Sequence, residues 1–155
     1  VSISVVNMPV DQHIRQTVAR WSLDEWRDAF HSDTIDWYLN LYSEADNTSN
    51  IPIVLVAFVD GEIAGTASVV ADDELPGATE PGPWLASVFV TPQFRGNGVG
   101  TALVAEALSQ STAVGHTEIY LYTRSKMNMY QHLGFRTIRT AQLADHDVTV
   151  MVREN

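Results

Sequence analysis

Arg95-Gly96-Asn97-Gly98-Val99-Gly100 follows the apolar run Val88-Phe89-Val90 and opens a segment with helical patterning. Glycines at alternate positions let the main chain turn sharply and leave its N–H groups uncovered. A helix starting at the same point adds the positive end of its dipole, so the segment suits an anionic phosphate group. The Arg95 guanidinium beside it strengthens that attraction. Two other phosphate loops fit less well. A Walker loop ends in Gly-Lys-Ser/Thr, whereas Gly100 is followed by Thr101 and Ala102. A dinucleotide fingerprint has Gly or Ala where Thr101 stands, although Glu118 lies about 20 residues on, as a ribose ligand would. That fold places its loop early in a βαβ unit, and here too few residues follow for the further units.

The chain has 155 residues, the size of one ordinary domain, with 45% hydrophobic and 18% charged residues, a folded composition. It has no cysteine, which excludes disulfides, thiolate zinc sites and a cysteine nucleophile. His13, His31, His116 and His146 lack paired ligand spacing, so no metal is expected. The net charge of −10 and the pI near 4.7 argue against nucleic acid as a partner. An acidic surface favours a cationic substrate, or serves solubility alone. No apolar run approaches the roughly 20 residues of a membrane span, and no signal-peptide pattern opens the chain. The expectation is a cytoplasmic protein with no membrane partner.

The remaining pattern alternates helices and strands. Ser2 to Val6 reads as a strand and Val10 to Arg20 as a helix, with a second helix capped by Ser22 and Glu25. Thr34 to Ala45 reads as a third helix, carrying Trp37, Tyr38, Leu41 and Tyr42. Ile53 to Val59 and Glu62 to Ala71 form a hairpin about Asp60-Gly61. An acidic, Gly- and Pro-containing loop, Asp72 to Pro83, precedes the strand Trp84 to Val90. After the glycine segment, Gly98 to Val114 has an apolar stripe of Val99, Leu103 and Ala107, widened by Val104 and Leu108. Glu118 to Thr123 reads as a strand, Lys126 to Leu133 as a short helix stopped by Gly134, and Val148 to Val152 as a last strand.

The glycine segment resembles the signature of the GCN5-related N-acetyltransferase family, Arg/Gln-x-x-Gly-x-Gly/Ala, through Arg95, Gly98 and Gly100, with an extra glycine at Gly96. Val88, Val90 and Pro92 match the strand before it, and Tyr130-Gln131-His132-Leu133-Gly134-Phe135 matches a second family element. The resemblance spans most of residues 1–155, read as one N-acetyltransferase domain. It implies an α/β (α+β) fold: a mixed, mostly antiparallel sheet flanked by helices, with a V-shaped splay between strands 4 and 5. It implies acetyl-CoA as co-substrate, its pyrophosphate held by N–H groups of Arg95, Gly96, Asn97, Gly98, Val99, Gly100 and Thr101. The main chain of Val88, Phe89 and Val90 would pair with the pantetheine arm as an added strand would.

Acetyl transfer needs an amine without its proton, a polarised thioester carbonyl and a stabilised thiolate. Tyr130 is the candidate general acid, because a phenol of ordinary pKa near 10 stays protonated at neutral pH. The base is less defined. Many relatives carry a glutamate where this chain has Trp84. Glu80 is the nearest acid upstream and the candidate, with Asp72, Asp73 and Glu74 in the same loop and Ser87 a weak relay. An asparagine that relatives carry six residues before the tyrosine is replaced by Arg124, and Asn128 is out of phase with it. Trp21, Trp26, Trp37 and Tyr38 lie in the early helices that wall the acceptor pocket in this family. The expected reaction is direct transfer of acetyl to a primary amine, in particular a small cationic one. A non-catalytic acyl-CoA-binding sensor or scaffold is the alternative, and an added edge strand could support a homodimer.

Overall fold

The computed structural model describes residues 1–30 and 32–155, so His31 lies outside the described residues. Seven strands form one sheet: β1 (Ile3–Asn7), β2 (Ile53–Val59), β3 (Glu62–Val70), β4 (Trp84–Val90), β5 (Glu118–Thr123), β6 (Arg136–Leu143) and β7 (His146–Glu154). Their spatial order is β1-β2-β3-β4-β5-β7-β6, and every neighbouring pair is antiparallel except β4 and β5. The helices are α1 (Gln12–Trp26), α2 (Ile35–Asp46), α3 (Val99–Ala113) and α4 (Met127–His132), with a 3-10 turn at Pro92–Phe94. The mixed sheet expected from the sequence is therefore present, with its parallel pair where the splay was expected.

The period-2 alternation of β2 sorts its side chains between two layers. Val54 and Val56 pack with Val18, Ala19, Tyr38 and Tyr42 of α1 and α2. Leu55 and Ala57 pack on the opposite side with Val99, Leu103, Val104 and Ala107 of α3, the stripe read from the sequence. Asp11 caps α1 by accepting from the Ile14 N–H at 3.0 Å, and Thr34 caps α2 from the Trp37 N–H at 3.2 Å. The buried Arg15 joins the two helices, donating to both Asp46 oxygens at 2.8 and 2.7 Å and to the Pro9 carbonyl at 2.8 Å.

Two boundaries differ from the sequence reading. The two early helices are one, α1, running through Ser22. Ser22 is buried beside the Tyr42 hydroxyl, so its side chain packs instead of capping, and no Gly or Pro interrupts the helix. Strand β6 has no counterpart in the sequence pattern. Its sequence RTIRTAQL is polar and half exposed because it is an edge strand, pairing only with β7. The β6–β7 turn is Ala144-Asp145, with φ of 48° and 66°. Both central residues are left-handed, as a two-residue hairpin demands, yet neither is the glycine or asparagine that announces one.

Gly65 sets how closely β3, β4 and α3 approach. A Cβ there would lie 2.6 Å from the Phe89 carbonyl oxygen and 3.0 Å from Leu103 Cδ1. The first of these is main chain and cannot rotate aside. Gly65→Ala is therefore expected to cost about 2 kcal/mol and lower the melting temperature by about 5 °C. Thermal unfolding by circular dichroism reads this, and an unchanged midpoint contradicts the close approach.

Candidate active site

The decisive local feature is where β4 leaves β5. The two strands pair at one position, Trp84 opposite Tyr120, where the Tyr120 N–H donates to the Pro83 carbonyl at 3.0 Å. Beyond it both strands continue without pairing, so β4 from Leu85 to Val90 has a partner only in β3. The ladder to β3 is itself interrupted: Thr66 faces Phe89 and Ser68 faces Ala86, which leaves Ser87 and Val88 opposite Ala67 alone. Ser87 sits in this bulge at φ 56°, a conformation that costs a non-glycine residue about 1 kcal/mol or more.

The glycine segment lies directly after this edge. Gly96 and Gly98 are left-handed, with φ of 83° and 86°, and Gly98 is the residue that enters α3. A Cβ at Gly98 would meet nothing within 4 Å, so its glycine serves backbone conformation and access, not packing. Among the described residues, no acceptor pairs with the N–H groups of Gly98, Val99, Gly100 and Thr101. These are the four donors that a helix start leaves free. No side chain caps them either. Arg95 points back along β4: its Nε donates to the Val90 carbonyl at 2.9 Å, and its guanidinium lies 5.6 Å from the Phe89 ring centre. Phe89 in turn packs against Trp21, with ring centres 5.7 Å apart.

Helix α4 docks against the same point, since a Cβ at Gly100 would lie 3.7 Å from Val90 Cγ2 and 4.0 Å from the Met129 sulfur. The end of β4, the start of α3 and α4 are thus brought together, and these carry the two sequence elements of the resemblance. Tyr130 is 6% exposed and packs edge-on against Phe135 at 5.7 Å; its main chain is paired with Lys126 and Phe135, while its hydroxyl has no hydrogen-bond partner among the described residues. Burial pushes its phenol up to about 12. Tyr130 lines a cavity of about 370 Å³ that reaches Leu85, Ala86, Ser87 and Val88 of β4 and Leu121, Tyr122 and Thr123 of β5. The cavity therefore occupies the gap between the diverging strands.

Its other wall is acidic and aromatic. Glu25, Trp26, Phe30, Asp33, Trp37 and Tyr38 come from the early helices and their connection, and Asp72, Asp73 and Glu74 from the loop after β3. The Tyr38 hydroxyl donates to Asp33 Oδ2 at 3.3 Å, and the Tyr122 hydroxyl donates to the Asp73 carbonyl at 3.0 Å. Burial and neighbouring carboxylates raise Asp73 well above the usual range, against a lowering by Tyr122. Burial, with repulsion from Asp33 and Asp72, also raises Glu74. Asp33 rises through burial, partly offset by Tyr38. Arg124 and Lys126 line the cavity near Tyr130's helix.

Glu80 is elsewhere. It does not line the cavity and forms a two-point ion pair with Arg139 of β6, both contacts at 2.8 Å. Those hydrogen bonds hold its carboxyl down at about 2. A carboxylate so held is a poor proton acceptor. Sequence reasoning did not find Asp33 or Tyr122 at the site, since neither has a local signal and both are gathered by the fold. Of the early aromatics, Trp26, Trp37 and Tyr38 reach the cavity, whereas Trp21 packs under Phe89.

The sequence profile of the acetyltransferase (GNAT) family matches residues 14–135, and the chain belongs to this family. It is 36% identical over 85 residues to the mycothiol acetyltransferase of Nocardia farcinica, a match covering 55% of this chain and 26% of that protein. The chain thus spans about a quarter of the length of that curated relative. Among solved structures, the PaiA N-acetyltransferase of Thermoplasma acidophilum in complex with coenzyme A aligns over 100% of both chains, with a TM-score of 0.73 and 20% identity. YncA of Salmonella typhimurium, solved with acetyl-CoA, aligns over 99% of this chain and 94% of its own, with a TM-score of 0.69 and 17% identity. Both share the fold.

The Glu80–Arg139 pair ties the loop before β4 to an edge strand. Because the folded carboxyl titrates below its unfolded counterpart, its stabilisation is present above the unfolded pKa, about 4.3, and is lost as pH falls towards 2. Glu80→Gln is expected to destabilise by about 1–2 kcal/mol at pH 7, with the gap from the parent closing between about pH 4.5 and 2. Denaturant unfolding against pH reads this, and a gap that is constant across the range contradicts the pairing.

Proposed function

We propose that this chain transfers acetyl from acetyl-CoA to a primary amine by direct attack, with the coenzyme in the β4–β5 gap. The observation that carries the reading is the continuity of three features. A strand edge without a partner runs into four unpaired N–H groups at a helix start, and beside both lies a cavity lined by an unpaired phenol. The main chain of Val88, Phe89 and Val90 offers edge groups to the pantetheine amides. The N–H groups from Gly96 to Thr101, with the helix dipole, face the pyrophosphate; the Arg95 N–H, expected among them, is instead taken by the Pro92 carbonyl at 3.3 Å, which closes the 3-10 turn. Bound coenzyme would draw the Arg95 guanidinium from the Val90 carbonyl towards phosphate.

The residues lining the cavity support the following steps. The amine lone pair attacks the thioester carbon, the C–S bond breaks as the tetrahedral adduct collapses, and Tyr130 gives its proton to the departing sulfur. The amine's own proton leaves to water, and the phenolate is reprotonated from solvent. Glu80 has no part in this reading. Positioning supplies much of the acceleration because the thioester is already activated. The acidic wall favours a cationic amine.

Burial fixes the pH behaviour. A phenol at about 12 stays protonated to at least pH 10, while an alkylamine near 10 to 10.5 is mostly ammonium at pH 7. kcat/KM is therefore expected to rise about tenfold per pH unit from 7 to 9, with no falling limb below about pH 10. Tyr130→Phe is expected to lower kcat about 100-fold and leave the coenzyme Kd within about threefold. Gly98→Glu, which strains a left-handed residue and sets a negative charge among the donors, is expected to raise that Kd more than about tenfold. Thiol release and calorimetry read both. Full activity in Tyr130→Phe removes the acid, and unchanged affinity in Gly98→Glu removes the loop. A non-catalytic coenzyme binder would respond to Gly98→Glu and release no thiol with any amine.

A further inference from the structure

Strand β4 carries one residue more than its ladder to β3 can pair. Thr66 faces Phe89 and Ser68 faces Ala86, so Ala67 alone stands opposite both Ser87 and Val88. The packing on each face shows which of the two is the extra one. Leu85, Val88 and Val90 join the α3 layer, whereas Trp84 packs with Tyr120 and Tyr122, and Phe89 with Trp21, on the other face. Uninterrupted alternation from Leu85 would send Ser87 into the α3 layer. Val88 has that place instead, and Ser87 is the inserted residue.

The backbone there is costly for any side chain. Ser87 is at φ 56°, in the left-handed region, where a bulge of this kind ordinarily has glycine. The other non-glycine residues with positive φ, Asp60, Glu74, Ala144 and Asp145, lie in turns or loops. Among the described residues only Ser87 combines that conformation with a place inside a strand. Glycine would relieve the strain, so the serine side chain stands there at a cost, as strained residues at functional sites do. Packing and internal hydrogen bonding do not account for it. Ser87 is half-buried and lines the cavity with Tyr130, and among the described residues its hydroxyl makes no hydrogen bond. The Thr66 hydroxyl on the facing strand, by contrast, is buried and donates to the Leu55 carbonyl at 2.8 Å.

Its position along β4 gives the hydroxyl a use. With the pyrophosphate at the α3 start and the pantetheine arm along Val90 to Val88, the next residue back is Ser87, so the thioester falls beside it. Tyr130 serves the departing sulfur, which leaves the carbonyl oxygen in need of a donor. We propose that the Ser87 hydroxyl donates a hydrogen bond to the thioester carbonyl oxygen, a bond that strengthens as this oxygen becomes an oxyanion. This rests on the transferase reading of the same cavity. The Oγ proton stays on Ser87 throughout. As the amine nitrogen bonds to the carbonyl carbon, the C=O electron pair moves onto oxygen; it returns when the C–S bond breaks and Tyr130 protonates the sulfur. The bulge is what frees the hydroxyl for this role, since a regular strand would bury it in the α3 layer.

Ser87→Ala and Ser87→Gly test this together, with acetyl-CoA and the fastest acceptor among n-butylamine, benzylamine and 1,4-diaminobutane. Both variants are expected to lower kcat and kcat/KM equally, by about 100-fold, and to leave the coenzyme Kd within about threefold, because the bond forms only in the transition state. Ser87→Gly is also expected to raise the melting temperature by about 3 °C, since glycine accepts the left-handed backbone, whereas Ser87→Ala is not. Loss of turnover in the more stable variant separates a catalytic hydroxyl from a structural one. Parent-like kcat in either variant, or weakened coenzyme binding in place of slower turnover, overturns the proposal and leaves the transferase standing. No thiol release from the parent with any of the three amines overturns the transferase reading and the proposal with it.

Discussion

A single bridge between β4 and β5 governs everything functional in this molecule. Had the two parallel strands stayed paired beyond Trp84 and Tyr120, the backbone groups from Leu85 to Val90 would be used up within the sheet and no gap would exist. Their divergence leaves an open edge inside the domain, which is costly unless something else pairs with it. The bulge at Ser87 and Val88 adds local strain at the same place, and Arg95 meets part of the demand by donating to the Val90 carbonyl. Strain and open edge coincide with the cavity, as expected where a fold trades stability for a binding site.

Around that gap the sheet divides labour between its faces. The layer of α3 is apolar and tightly packed, with Leu103, Val104 and Ala107 fully buried, and it fixes the helix start rigidly against β3 and β4. The layer of α1 and α2 contributes the aromatic and acidic wall. There the Arg15–Asp46 pair joins the start of α1 to the end of α2. The loop after β3 is shaped by local hydrogen bonds and by the Tyr122 hydroxyl, which places Asp73 within the cavity wall.

Much of this was legible in the residues, for reasons that differ. The Asp60-Gly61 turn, the α3 stripe and the glycine segment are local signals, and each fell within a residue or two of its observed limits. The Tyr130 helix was legible because Gly134 stops it cleanly, with φ of 93°. Strand β6 was not, because an edge strand of Arg, Thr and Gln hides no apolar face. The Ser22 boundary failed because tertiary packing against Tyr42 overrode a local capping pattern. Glu80 is near β4 in sequence, yet Arg139, 59 positions on, takes its carboxylate. The acids that do reach the cavity come from the end of α1, the connection after it and the loop after β3, a grouping that no spacing rule encodes.

The most direct test of this account is an amide-resolved NMR titration of the protein with coenzyme A. The account predicts that the largest shifts fall on Val88 to Val90 and on Gly96 to Thr101, with protection of those N–H groups from solvent exchange. Shifts concentrated instead in the separate cleft between Asn7, Asp46 and Gln110, with the glycine segment unmoved, would contradict it.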